Sequence, residues 1–257
     1  MGSGAVHGRT VGPTGWVDGE GEGAVGVLGA VQGLVPGAGA VVPPSASQRR
    51  LLSVLALRAL DGARPVSTDR LAALTETTSG SVRTTLSRLR RLLGRDVVTS
   101  TPDGHRLAVV VDAVVFERLA DDGAVIGDRL ARLDAALSLW RGPAFDEFAH
   151  EPWARTAALR LDELRLVVVE RRADELVRRG RADEAVAGLV AHLDQHPQRD
   201  EARLVLMEAL AHTGRVAEAL RAYHQRVVDR SMMTPPPPEA LARLERRIAS
   251  GRTVTAA

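Results

Sequence analysis

The 257-residue sequence predicts a mainly α protein with a small β component, built in two parts. Three observations predict it. Residues 24–111 hold short apolar runs broken by Gly and Pro, then three helical patterns, then a hairpin pattern. Beyond residue 112, helical periodicity continues to Ile248 with no convincing strand. Within that second part a motif recurs at a fixed spacing, "GRADEAVAGL" from Gly180 and "GRVAEALRAY" from Gly214, 34 residues apart.

Taken in chain order, residues 1–23 are dense in glycine and predict a disordered tail; they lack the basic start and apolar core of a signal peptide. "AVGVLGAVQGLVPGAGAVV" (24–42) predicts small strands joined by tight turns. Ser47 is the expected cap of a first helix, with Leu51, Leu55 and Ala59 on one face. Ser67 or Thr68 caps a shorter second helix holding Leu71 and Leu74. A third helix follows over "SGSVRTTLSRLRRLLG" (79–94). In "VVTSTPDGHRLAVVV", Pro102-Asp103-Gly104 is a turn between two β-rich runs, so a hairpin is expected. Three helices and a hairpin, with short strands in front, is the order of a winged helix-turn-helix spanning 24–111.

The second part, 112–257, predicts an all-α superhelix of tetratricopeptide type. Gly180 and Gly214 each end a helix in a left-handed conformation, and Ala185 and Ala219 are small where antiparallel helices cross. Flanking helices are expected over about 115–140 and 153–178. The run Pro235–Pro238 stops one helix before a last one, Glu239–Ile248.

Composition agrees. Hydrophobic residues make up 45% and aromatics only 3%, so the core must come from Leu, Val and Ala. All 34 basic residues are arginine. Residues 45–110 carry 11 Arg against 5 acids, whereas residues 112–257 carry 22 Arg against 24. A basic module joined to a near-neutral one predicts a polyanion partner for the first alone. With no cysteine there is no disulfide or thiolate metal site, and no apolar run is long enough for a membrane span.

The third helix carries the functional signal. At 100° per residue, Val82, Leu86, Leu89 and Leu93 fall in one stripe. Thr84, Ser87, Arg88 and Arg91 fall roughly opposite, with Arg83 and Arg90 on the borders. Such a helix docks its leucines on two others and turns its cations outward. The B-DNA major groove admits one helix, and arginine reads guanine O6 and N7 with two bonds. Border arginines would hold phosphates and set register. His105-Arg106, just past the hairpin tip, would reach an adjacent minor groove. Taken alone, the helix is also compatible with a solvated cationic face or an acidic protein partner.

"SVRTTLSRLRRLLG" followed by "TPDGHRL" resembles the DNA-binding domain of OmpR-type response regulators. "SQRRLLSVLALRA", "ALSLWRGPAF", "LDELRL" and the "GR…EA" repeats resemble the Streptomyces antibiotic regulatory protein (SARP) family, in which a winged helix precedes a bacterial transcriptional activation domain. The resemblance covers about residues 24–248. It implies binding to direct repeats upstream of a promoter, recruitment of RNA polymerase through its sigma subunit, and activation of a secondary-metabolite gene cluster. By position it implies base reading by Arg83, Ser87 and Arg88, phosphate contact by Thr85 and Arg90, and a wing contact by Arg106.

Other constellations carry less. Trp140-Arg141-Gly142-Pro143 reads as Trp packing with a helix stop. His192 and His196, four apart, lack a third metal ligand. Asp162-Glu163, Asp174-Glu175 and Asp183-Glu184 sit among arginines at charge-pair spacing rather than as catalytic carboxylates. No nucleophile–base set or phosphate loop is present. The expectation is therefore a non-enzymatic, cofactor-free DNA-binding activator of the cytoplasm and bacterial nucleoid, acting as a homodimer on double-stranded DNA. The alternative is a tetratricopeptide-type interaction scaffold whose winged helix binds DNA weakly or not at all.

Overall fold

The computed structural model describes residues 23–121, 123, 128–228 and 238–251. The expected tail at 1–22 and most of the proline run at 235–238 lie outside them. The described residues are mainly helical with few strands. By compactness the chain divides into two units: 1–125 with 135–165, and 126–134 with 166–257. The first unit takes in residues beyond 111, at 112–125 and 135–165.

The first unit opens on β1 (Ala24–Gly26), β2 (Gln32–Val35) and β3 (Gly39–Val41). These form an antiparallel meander, with Ala24 opposite Leu34 and Gly33 opposite Val41. Then come α1 (Ala46–Leu60), α2 (Thr68–Leu74) and α3 (Ser79–Leu93), followed by β4 (Val98–Thr101), β5 (Gly104–Leu107) and β6 (Val110–Val111). β4 and β5 are the expected antiparallel hairpin. The rest of that β-rich run does not stay with it: β6 leaves to pair parallel with β1, giving the sheet order β3-β2-β1-β6.

The cap of α1 is Ser45 rather than Ser47. Ser45 Oγ accepts from Gln48 N while Gln48 Oε1 accepts from Ser45 N, a reciprocal pair that needs the three-residue spacing Ser47 lacks. Ser67 caps α2 and Thr78 caps α3.

The helix expected over 115–140 is two, α4 (Asp112–Ala120) and α5 (Arg129–Ser138). Between them the Gly123 N–H donates to Asp121 Oδ1 at 3.0 Å, a local side-chain bond that competes with helix. A long helix α6 (Arg155–Arg178) follows.

Asp112 is the first unit's structural knot. Its side chain is 1% exposed. It accepts from Val27 N at 2.8 Å, Leu28 N at 3.1 Å, its neighbour Ala113 N at 2.7 Å and Arg141 Nη2 at 2.7 Å. The segment after α5 returns to the same place: Arg141 N donates to Leu28 O and Phe145 N to Val27 O. Trp140 packs edge-on to Phe116, ring centres 5.1 Å apart, with the Arg165 guanidinium over its face. The Trp-Arg-Gly-Pro segment is therefore packing and connection.

The second unit takes residues 129–134 of α5, α6 from 166, and α7 (Ala182–Gln195), α8 (Asp200–His212), α9 (Val216–Val228) and α10 (Glu239–Ala249). Its core is Leu, Val, Ala and Met, including Leu176, Leu189, Leu206, Met207 and Leu244. The 34-residue recurrence is structural in detail. Gly180 and Gly214 have φ of 74° and 75°. Arg181 N reaches back to Leu176 O, and Arg215 N to Leu210 O, the same helix-ending bond. Arg181 then grips Glu184 with two bonds, and Arg215 grips Glu218 likewise. Ala185 and Ala219 are buried, where any larger side chain would hold the helices apart.

The paired carboxylates are mostly charge partners: Asp174 and Glu175 meet Arg178 and Arg179, and Asp162 accepts from Ala144 N. His192 is buried beside Glu170, which Arg199 holds with two bonds. No cluster of metal-binding side chains occurs among the described residues. None of their helices is long and apolar enough to cross a membrane.

Candidate nucleic-acid interface

The site is built on α3. Val82, Leu86, Leu89 and Leu93 are at most 2% exposed. With α1 and α2 covering that stripe, the other face is fixed outward. Arg83, Thr84, Ser87, Arg88 and Arg91 are exposed, and Thr85 is half-buried. Thr84 Oγ1 returns its hydrogen to Gly80 O at 3.1 Å.

The charges divide by helix. On α1, Arg49 is paired with Glu147 and Arg50 with Glu151 at 2.6 Å, so those cations hold the returning segment. The Glu147 carboxyl is held below its usual range by Arg49. Arg83, Arg88 and Arg91 make no ion pair among the described residues; nor do Arg95 and Arg106. Exposed cations without acidic partners leave a net positive field over this face.

The hairpin sits against this face. Its two-residue loop, Pro102-Asp103, sets the register Thr101 opposite Gly104, Ser100 opposite His105 and Thr99 opposite Arg106. Gly104 has φ of 133°, and a Cβ there would fall 2.1 Å from Val66 O. That close approach lets Val66 and His105 exchange two backbone bonds, each 2.8 Å. Arg106 is exposed. His105 and Arg90 are half-buried and engaged inside the protein. Arg90 donates from Nε to Val98 O at 3.0 Å and from Nη2 to Ser100 Oγ at 2.7 Å. Ser100 Oγ lies 2.9 Å from His105 Nδ1, and Thr68 Oγ1 lies 3.1 Å from His105 Nε2. Burial, then the Arg90 and Arg83 charges, push the His105 pKa down.

The nine expected residues lie on α3 and β5, six of them exposed and three half-buried. Arg83, Thr84, Ser87, Arg88, Arg91 and Arg106 face solvent; Thr85 is intermediate; Arg90 and His105 are occupied with the hairpin. Sequence reasoning missed Ser100, Thr68 and Arg95. Counting outward from the Pro-Asp loop places Ser100 opposite His105, a signal that was available. Arg95 follows the glycine that ends α3 and, with Arg90 and Arg106, lines an open groove of about 1080 Å³ beside the hairpin.

Residues 111–249 match the bacterial transcriptional activator domain family. Regulatory protein AfsR of Streptomyces griseus is 34% identical over 220 residues, which cover 79% of this chain and 22% of that protein. Regulatory protein DnrI of Streptomyces peucetius is 33% identical over 138 residues, 50% of this chain and 51% of DnrI. The solved structure of Mycobacterium tuberculosis EmbR in complex with a low-affinity phosphopeptide matches with a TM-score of 0.76 at 29% identity, over 91% of this chain and 66% of that one. The chain therefore belongs to the bacterial transcriptional activator domain family, in the SARP-type group of transcriptional activators that these regulators represent. It spans about a fifth of AfsR and about half of DnrI.

Proposed function

We propose that the chain is a sequence-specific DNA-binding transcriptional activator, with residues 24–111 as a winged helix and 112–257 as a tetratricopeptide-like activation domain. One observation carries the reading: α3 buries Val82, Leu86, Leu89 and Leu93 while Arg83, Arg88 and Arg91 stand exposed without acidic partners among the described residues. In this reading Arg83, Ser87 and Arg88 read base edges, with Thr84 beside them. Thr85 and Arg91 meet phosphates, and Arg106 reaches from the hairpin. Arg90 and His105 serve through the hairpin. The partners are double-stranded DNA with promoter direct repeats, a second copy of the chain on that DNA, and RNA polymerase holoenzyme through its sigma subunit. The setting is the bacterial nucleoid and the target a secondary-metabolite gene cluster. The role is non-enzymatic and needs no cofactor.

The test uses a duplex selected by the full chain from a random-sequence pool, with a scrambled duplex as reference. Arg88→Ala is expected to cost about 1–3 kcal/mol on the selected duplex and to relax preference at one base position. Arg91→Ala should weaken both duplexes about equally. The assignment fails if both variants weaken the two duplexes alike, and the whole reading fails if the wild-type chain enriches no sequence.

A further inference from the structure

Resting on the DNA-binding reading above, we propose that the hydrogen-bonded chain Arg90–Ser100–His105–Thr68 is the positioning element of the interface, locking the β4–β5 hairpin to α3 and α2 and withholding the Arg90 guanidinium from phosphate. The four side chains come from α3, β4, β5 and α2, and each link is a normal hydrogen bond of 2.7–3.1 Å. In this proposal the chain has one direction from the cation outward: Arg90 Nη2 donates to Ser100 Oγ, and with His105 as its Nε2–H tautomer Ser100 would pass its hydrogen to Nδ1 and Nε2–H would donate to Thr68 Oγ1. A guanidinium at the head polarises every later link in the same sense. The ring must be neutral for this, and its burial beside Arg90 and Arg83 favours the neutral form.

Two consequences follow from strand geometry. Successive residues of a strand point to opposite faces. Ser100 and His105 are cross-strand partners on the face that also carries buried Val98 and Leu107, and Thr99 and Arg106 are partners on the opposite one. Holding His105 inward therefore aims Arg106 outward, at a set distance from Arg83 and Arg88. Ser100 and His105 are thus positioning residues, acting through Arg106 and Arg90. Such pre-organisation raises affinity for the one duplex whose shape matches and does little for others.

The experiment is Ser100→Ala and Ser100→Thr in the full chain, with fluorescence anisotropy on the selected and scrambled duplexes. Far-UV circular dichroism and thermal unfolding are run alongside. Ser100→Ala frees Arg90 and loosens the hairpin. The ratio of selected to scrambled affinity should fall roughly fivefold, and the log–log salt slope on the scrambled duplex should steepen by about one. Ser100→Thr keeps the hydroxyl and should restore the ratio. A purely structural role would weaken both duplexes in proportion and leave the salt slope alone. Imidazole nitrogen shifts give a second measurement that needs no variant: His105 should be the Nε2–H tautomer. A folded Ser100→Ala with an unchanged ratio overturns the inference, as does a Ser100→Thr equally impaired or a wild-type ring carrying its proton on Nδ1. Those results leave the DNA-binding reading standing. A wild-type chain with no preference for any duplex overturns both.

Discussion

Replacing Arg141 by Met tests the physics of the first unit most directly. The Asp112 carboxylate is 1% exposed and, among the described residues, its charged partner is Arg141 Nη2 at 2.7 Å. Burial raises its pKa, and the Val27 and Leu28 N–H groups and Arg141 lower it in part. Removing Arg141 leaves three N–H donors and no cation. Breaking a buried pair typically costs 3–5 kcal/mol; because the Arg141 side chain is 33% exposed, part of its charge is already screened, so about 2–4 kcal/mol is expected near neutral pH. The carboxyl can escape by taking a proton. Its native pKa lies above the unfolded value, so the variant's deficit is smallest below the unfolded pKa. It grows as pH rises through the native pKa, by at most about 1.4 kcal/mol per pH unit, and then levels off. Trp140 and Trp153 both belong to this unit, so urea unfolding followed by tryptophan fluorescence at about pH 5 and about pH 7.5 reads it. Asp112→Asn combined with Arg141→Met should recover part of the loss at the higher pH. A loss under about 0.5 kcal/mol, or the same loss at both pH values, would refute the reasoning.

Further outcomes are expected elsewhere. If Arg91, Arg95 and Arg106 meet phosphates, log K against log salt should have a slope of about −2.7 per protomer, so a fourfold rise in salt weakens binding roughly 40-fold; a slope shallower than about −1 removes that set. A fragment ending at Val111 loses the acceptor for Val27 N and Leu28 N together with the Phe145 and Trp140 packing. It should melt without cooperativity, whereas one ending at residue 165 melts as a unit; calorimetry separates them, and equal sharpness sinks the knot as described. Gly214→Ala forces a side chain into a φ of 75° and should destabilise the second unit by about 1 kcal/mol, read as a lower unfolding midpoint by circular dichroism.

What could be read from the sequence was local. The stripe Val82-Leu86-Leu89-Leu93 lies on one helix, so its burial and the exposure of Arg88 and Arg91 follow from periodicity. Gly180 and Gly214 were legible because a helix-ending glycine has one common conformation. The hairpin was legible from its loop, though not the departure of Val110–Val111 to β1, since strand choice depends on partners about 85 residues away. The same distance hid Asp112, whose acceptors serve Val27 and Leu28. Arg90 was read as a border cation because helical angle says nothing of a strand packed alongside. The break within 115–140 was a turn signal, Asp-Asp-Gly, outweighed by the surrounding periodicity.

The discontinuity of the first unit has a consequence for synthesis. A chain emerging from the ribosome delivers Val27 and Leu28 early, yet their tethers at Ala144 and Phe145 arrive more than a hundred residues later, after residues 126–134 that belong to the other unit. The usual order, in which the N-terminal unit closes before the next begins, is unavailable here. A nascent protein stalled near residue 130 would carry its arginine-bearing helix on an unfinished body, so the proposed competence to bind DNA would arrive late in translation, with the peptide already past Glu151.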